Sequence, residues 1–380
     1  MAIIVLCDNY PTPNAEYSSS FVHNRVKRYS EHYKCEVIKR SQGKDYIIDG
    51  IQVRVYSGGK EFRDIYQESS PEVVLIHFIS RWMIQEIIPM IKVPLIVWVH
   101  GTEALGWYRR LFNYAISDFL KIDFYKRAYH NYLQLRSLRN TIKLSNSNQH
   151  KIHFVFVSRW MKTICETDTH IRCSHYSIIP NPIDTDTFAY KIKDPNDRKK
   201  ILLIRSFETR KYANDIAIKA ILKLSKKTYF EDLKITIIGK GKLFQKYTEK
   251  VSGFKNIVIL EEFIHNNKIP ELHAEHGIFL CPTRQDAQGV SMCEAMSSGL
   301  VPITSKVTAI PEFVTHLATG ILANSHTSIV KAIDLMYNNI DEFMRISANS
   351  SDFIFGELSN DILIPKELDL IKSYLDSAKL

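Results

Sequence analysis

Apolar positions in this chain fall into short β-branched runs separated by longer amphipathic stretches, and the alternation occurs twice. The first set of runs covers 2–7, 36–39, 51–56, 73–78, 95–99 and 153–157, with helical patterning at 21–33 and 81–91. The second covers 201–204, 234–238, 257–260, 277–281 and 301–304, with helical patterns at 214–226, 243–251, 267–274, 290–298 and 327–338. Strands that alternate with helices predict βαβ crossovers and mainly parallel sheets. Between the two sets lies 179–200, IPNPIDTDTFAYKIKDPNDRKK, with three prolines and little periodicity. It reads as a linker. The organisation expected is a domain over 1–182, a hinge over 183–199, a second domain over 200–358 and a terminal helix over 359–380.

The stretch around which the second set is arranged is PTRQDAQGVSMCEAMSSGLVP, residues 282–302. An apolar run enters it and another leaves it, so the order is strand, loop, helix, strand. Asp286 sits in the loop and Glu294 one to two turns into the helix. Both carboxylates are placed toward the carboxyl end of a strand, where open α/β sheets bind ligands. The amides of Gln288, Gly289 and Val290 open the helix and offer N–H groups to an anion. A carboxylate for ribose hydroxyls beside an amide cradle for phosphates is the chemistry of a nucleotide-sugar site.

Bulk properties narrow the field. At 380 residues the chain exceeds the size of one core. No apolar run approaches the length of a membrane span, and the N-terminal run lacks a basic lead-in, so a cytoplasmic protein is expected, at most resting on the inner face of a membrane. The six cysteines form no CxxC pair and have no His-rich partner motif, which points to reduced thiols and no metal site. The net charge of +9 is concentrated: 104–162 holds eleven Lys or Arg against Asp118 and Asp123. Within it Trp107, Tyr108, Arg109, Arg110, Leu111 and Phe112 interleave bases with aromatics, as do Tyr125, Lys126, Arg127 and Tyr129. Adsorption to an anionic bilayer carrying the acceptor fits this pattern. So does a solvated helix face with an oligomer contact. Nucleic acid is the weakest reading, because no RNA- or DNA-reading motif is present.

IPNPIDTDTF (179–188), GKG (239–241), and Asp286 with Glu294 followed by AMSSGLVPITS resemble the family 4 retaining glycosyltransferases of the GT-B fold. The resemblance implies two facing Rossmann-like lobes and a C-terminal helix crossing back to the first. It implies a nucleotide-sugar donor bound mainly by the second lobe, a glycan or lipid-linked acceptor over the first, and no metal or other cofactor. UDP-sugars are favoured over GDP-sugars as donor. Asp286 stands where the family usually has Glu; by resemblance it grips the donor sugar, and Glu294 holds the ribose. Arg205, immediately after the strand at 201–204, matches the family's diphosphate contact, needed because positive charge must meet the leaving group as it forms. The second contact is Lys211 by identity or Arg210 by spacing.

Gly239 and Gly241 let backbone approach a base or ribose. His100 ends the strand at 95–99 and, by resemblance, orients the donor sugar without acting as a general base. The first loop, Asn14–Ser20, has hydroxyl residues where the family has glycines, and Glu312 matches a recurrent acidic position. Two other readings of the same residues stay open: a nucleotide-sugar epimerase or hydrolase, and a non-catalytic partner that binds the sugar nucleotide.

Overall fold

The structure is a computed structural model that describes residues 2–12 and 19–377. It divides into two compact units, one of residues 1–182 with 361–380 and the other of 183–360.

In the first unit the strands are β1 (Ala2–Cys7), β2 (Lys34–Arg40), β3 (Tyr46–Ile48), β4 (Ile51–Tyr56), β5 (Val73–His77), β6 (Leu95–Val99), β7 (Ile152–Phe156) and β8 (Tyr176–Ile178). They order as β3-β4-β2-β1-β5-β6-β7-β8, parallel throughout except for the β3–β4 pair. β5 and β6 are buried at every position, the mark of a sheet covered on both faces. The helices are α1 (Ser20–Ser30), α2 (Gly59–Ser69), α3 (Ile122–Asn146) and α4 (Arg159–Thr169). The pattern at 81–91 makes no α-helix; a π turn, Met83–Ile87, runs into a 3-10 turn at Ile88–Met90, where Pro89 removes a backbone donor.

In the second unit β9 (Lys200–Ile204), β10 (Lys234–Ile238), β11 (Ile257–Leu260), β12 (Ile278–Cys281), β13 (Val301–Thr304) and β14 (Ile321–Leu322) order as β11-β10-β9-β12-β13-β14. All five pairings are parallel. Around them run α5 (Asn214–Leu224), α6 (Phe244–Thr248), α7 (Ile269–Glu275), α8 (Val290–Ser297), α9 (His326–Asn338) and α10 (Ile340–Glu357). Residues 183–199, read above as a hinge, pack within this unit: Ile183 bridges Ser359, Phe188 is buried, and the buried Lys193 donates to the His273 carbonyl at 2.6 Å.

The chain ends in α11 (Asn360–Ser377), with Pro365 inside the helix. From α11, Glu367 returns to the first unit's α1, where it pairs with Arg25. No helix among the described residues is long and apolar enough to cross a membrane. All six cysteines are free, five of them buried.

Candidate functional site

In the second sheet the strand order turns back between β9 and β12, and the crevice outside such a switch point is where open α/β sheets bind ligands. Arg205 is the first residue after β9, and the loop carrying Asp286 follows β12. Arg205 is 8% exposed. It donates from Nη1 to Ser291 Oγ at 2.9 Å, while its Cζ lies 5.0 Å from the Tyr212 ring centre and 5.7 Å from that of Phe279. Lys211 Nζ lies 4.9 Å from the same Tyr212 ring. Two cations thus share one aromatic ring at the carboxyl edge of the sheet, a cation–π arrangement that holds them without neutralising them.

Burial works against charge on Lys211, but Asp286 and Tyr212 outweigh it and hold the ammonium above its usual range. Arg210 is separate from this group. Its carbonyl accepts from Arg284 Nη1 at 2.7 Å, and its side chain stands by Tyr247. Of the two alternatives left open by spacing, Lys211 is the one that joins Arg205.

Gly239 and Gly241 act first on their own chain. A Cβ on Gly239 would stand 2.0 Å from the Arg205 carbonyl oxygen, and one on Gly241 would stand 2.3 Å from the Glu208 nitrogen. Gly241 also holds φ +138°, which L side chains rarely adopt. The glycines let the turn after β10 lie against Arg205–Glu208, tied by Phe207 N–H to the Lys240 carbonyl at 2.9 Å.

The Glu294 carboxylate makes no hydrogen bond among the described residues, and it is pushed up to about 7 by burial, with Arg205 opposing the rise and Asp184 adding to it. Asp286 is only partly buried, and its Oδ1 accepts from Gly289 N–H at 3.0 Å. That bond corrects the expectation of three free amides at the start of α8: the Gly289 amide is turned onto the preceding carboxylate by the residue's left-handed backbone, φ 85°. Gln288 is buried, its side chain beside the Cys293 thiol, while Val290 opens the helix. Sequence reasoning missed Ser291 and Tyr212. The spacing of Ser291 three residues before Glu294, on one face of α8, was the available signal.

In the first unit His100 follows β6 and is 9% exposed, its Nε2 2.9 Å from His77 Nδ1 and its ring packed against Phe21 and Phe78. Burial holds both imidazoles well below their usual range, so neither switches charge near neutral pH. His77 was hidden inside an apolar run; its place at the end of β5, next to β6, pairs it with His100.

Residues 14–18 of the first loop lie outside the described residues. Ser19 precedes α1 with no side-chain cap, and Glu312 is exposed on a single 3-10 turn. Among the described residues no group of three or more His, Cys, Asp or Glu is placed to hold a metal ion.

The basic, aromatic segment divides in two. Arg109 turns inward and clamps Asp168, whose carboxylate also receives Tyr108 OH and the Gly106 N–H, each at 2.6 Å. Arg110 donates to the Thr102 and Leu105 carbonyls, and the Trp107 ring packs against Phe124. The outward part is Ile116 and Leu120, each 88% exposed, then Ile122, Tyr125, Tyr129 and Tyr132 on one face of α3. Lys126, Arg127, Arg136, Arg139 and Lys143 form no ion pair among the described residues.

A family model described as "Glycosyl transferases group 1" matches residues 198–339. An uncharacterized 41.2 kDa protein in the cps region of Klebsiella pneumoniae is 22% identical over 220 residues, 55% of this chain and 58% of that protein, so the match spans little more than half of the relative. Among solved structures, sucrose-phosphate synthase from Thermosynechococcus elongatus superposes with a TM-score of 0.78 at 10% identity, covering 99% of this chain and 100% of that one. Anabaena HepE in complex with UDP and glucose gives 0.71 at 12%, covering 98% and 99%. WaaG, a glycosyltransferase involved in lipopolysaccharide biosynthesis, gives 0.69 at 14%, covering 97% and 99%. At such identities the likeness is one of fold.

Proposed function

We propose that the chain is a retaining glycosyltransferase that needs no metal, a reading supported by the group 1 glycosyl transferase match at residues 198–339 and by the GT-B fold. It moves a hexose or N-acetylhexosamine from a nucleoside diphosphate, UDP before GDP, to a glycan or lipid-linked acceptor in the making of a surface polysaccharide. The observation that carries this reading is the pair of cations at the end of β9. Arg205 and Lys211 gather round Tyr212 beside the first turn of α8, and neither forms an ion pair with an acid among the described residues.

Breaking the bond between sugar and diphosphate gathers negative charge on the leaving oxygens, and donors fixed in advance where that charge grows lower the barrier. Arg205 and Lys211 supply them. Glu294, whose carboxylate has no hydrogen-bond partner among the described residues, accepts from ribose hydroxyls. Asp286, held in place by Gly289 N–H, is left with its second oxygen for the sugar. In the first unit His100, kept neutral by burial, orients substrate and takes no proton; the departing phosphate receives the acceptor's proton. The exposed face from Ile116 to Tyr132 rests on the anionic membrane surface where a lipid-linked acceptor lies.

The test is a thermal-shift panel of UDP, GDP, ADP and CMP on the whole chain. A ligand that binds only the folded state raises the melting temperature by mass action. UDP is expected to give the largest shift, and Arg205→Ala to abolish it while the unliganded melting temperature holds. A panel without any shift, or a UDP shift that survives Arg205→Ala, would sink the proposal.

A further inference from the structure

Away from the carboxyl edge of the first sheet, α3 and α4 enclose a cavity of about 360 Å³ whose walls include Arg136, Arg139, Lys143, Asn140, Tyr132 and His170. Arg136, Arg139 and Lys143 follow one another at steps of three and four, so they project from a single face of the helix. None of the three has an ion-pair partner among the described residues. The one carboxylate in the wall, Asp168, is unavailable to them: its side chain is 0% exposed and is committed to Arg109, Tyr108 and the Gly106 amide. The cavity therefore presents three cations and no free acid. Like charges at this spacing repel one another, and the carbonyl end of α4 offsets only part of that repulsion.

We propose that this cavity is a binding site for a phosphate-bearing ligand, separate from the donor site of the second unit. Two guanidinium groups can each grip a phosphate through paired donors, Lys143 adds a point charge, and the Asn140 amide supplies a further donor. The Tyr132 ring at one wall carries the exposed aromatic face of α3 into the site, so the phosphate is either a lipid headgroup or a soluble phosphate compound. Nothing in the donor-binding reading requires this site, and the two stand or fall separately.

The experiment uses the full chain carrying Arg205→Ala and Lys211→Ala, so that the second unit's cations do not take up the probe. Two probes are applied: inorganic pyrophosphate by calorimetry, and co-sedimentation with phosphatidylcholine vesicles containing phosphatidic acid. Two charge-matched pairs are compared, Arg136→Gln with Arg139→Gln inside the cavity, and Lys60→Gln with Arg63→Gln on the exposed side of α2, away from both the cavity and the Ile116–Tyr132 face. The cavity pair is expected to weaken binding of at least one probe about tenfold, the outside pair by less than about twofold. Pyrophosphate binding alone identifies a soluble ligand. Vesicle binding that pyrophosphate displaces identifies a headgroup. If neither probe binds, or if the two pairs weaken binding equally, the cations are a diffuse charged face and the site does not exist.

Discussion

Arg25 and Glu367 lie 342 positions apart in the chain and meet at 2.9 Å with neither side chain exposed. Tyr29 adds a hydrogen bond from its hydroxyl to Glu367 Oε2 at 2.5 Å, while Nη1 and Nη2 of Arg25 have no hydrogen-bond partner among the described residues. The pair fastens the chain's last helix to its first, and it is incompletely satisfied.

Removing one partner from such a pair leaves a buried charge alone, which costs about 3–5 kcal/mol. Glu367→Ala is therefore expected to destabilise the fold by that amount in urea unfolding. Replacing both partners by apolar residues, Arg25→Met with Glu367→Leu, is expected to cost much less, because no charge is then stranded. Equal losses for the single and double variants would show that packing of α11, and not charge, makes the attachment.

Gly239 is expected to be needed for nucleotide binding without touching the nucleotide. A Cβ there would meet the Arg205 carbonyl oxygen at 2.0 Å, so Gly239→Ala must push the loop after β9 away from its place. The prediction is a folded protein whose UDP-induced thermal shift falls about as far as in Arg205→Ala. A normal shift in Gly239→Ala would mean that the turn after β10 yields instead, leaving Arg205 where it is.

Both parallel sheets could be read from the sequence because fully buried strands appear as apolar runs, and β5, β6, β9, β12 and β13 fall where such runs stand. β3, β8 and β14 were missed; they are two or three residues long, and a periodicity needs more. The carboxylates and cations of the second unit were legible as residue types at strand ends. Which of them meet was not, since Arg210 and Lys211 are adjacent in sequence and only the turn Arg210–Tyr212 sends them to different neighbours. Charge counting failed for Arg109: a sum over 104–162 takes no account of Asp168, which lies beyond the segment and is closed over by it. The Gly289 amide was lost for a related reason, because its backbone angle depends on the loop and not on a pattern.

The outward face ahead of and along α3 is expected to matter for membranes and not for folding. Ile116, Leu120 and Ile122 are 88%, 88% and 70% exposed, so changing all three to Ser should alter stability by less than about 0.5 kcal/mol per site. The same variant should lose binding to anionic vesicles, which for the unaltered chain should weaken as salt is raised. Undiminished vesicle binding would remove this face from the membrane reading.

Glu294 gives the fold a pH dependence of defined sign. Its carboxyl is pushed up to about 7, first by burial, against an ordinary value of 4.5. Between those values the folded chain keeps a proton that the unfolded chain has released, so this group's contribution to stability falls as pH rises through the window. Above pH 7 the full penalty is in force; below 4.5 it is absent. Solvent at the edge of the side chain reduces its size to about 1–2 kcal/mol. Glu294→Gln carries no charge at any pH, so it should be more stable than the parent at pH 8 and equal to it at pH 4. The carboxylate that costs stability is the form that accepts most strongly from ribose hydroxyls. UDP affinity should therefore rise from pH 6 to pH 8 in the parent and stay flat and weaker in Glu294→Gln. A variant that gains stability at pH 8 yet binds UDP as the parent does would leave Glu294 a buried acid with no part in holding the nucleotide.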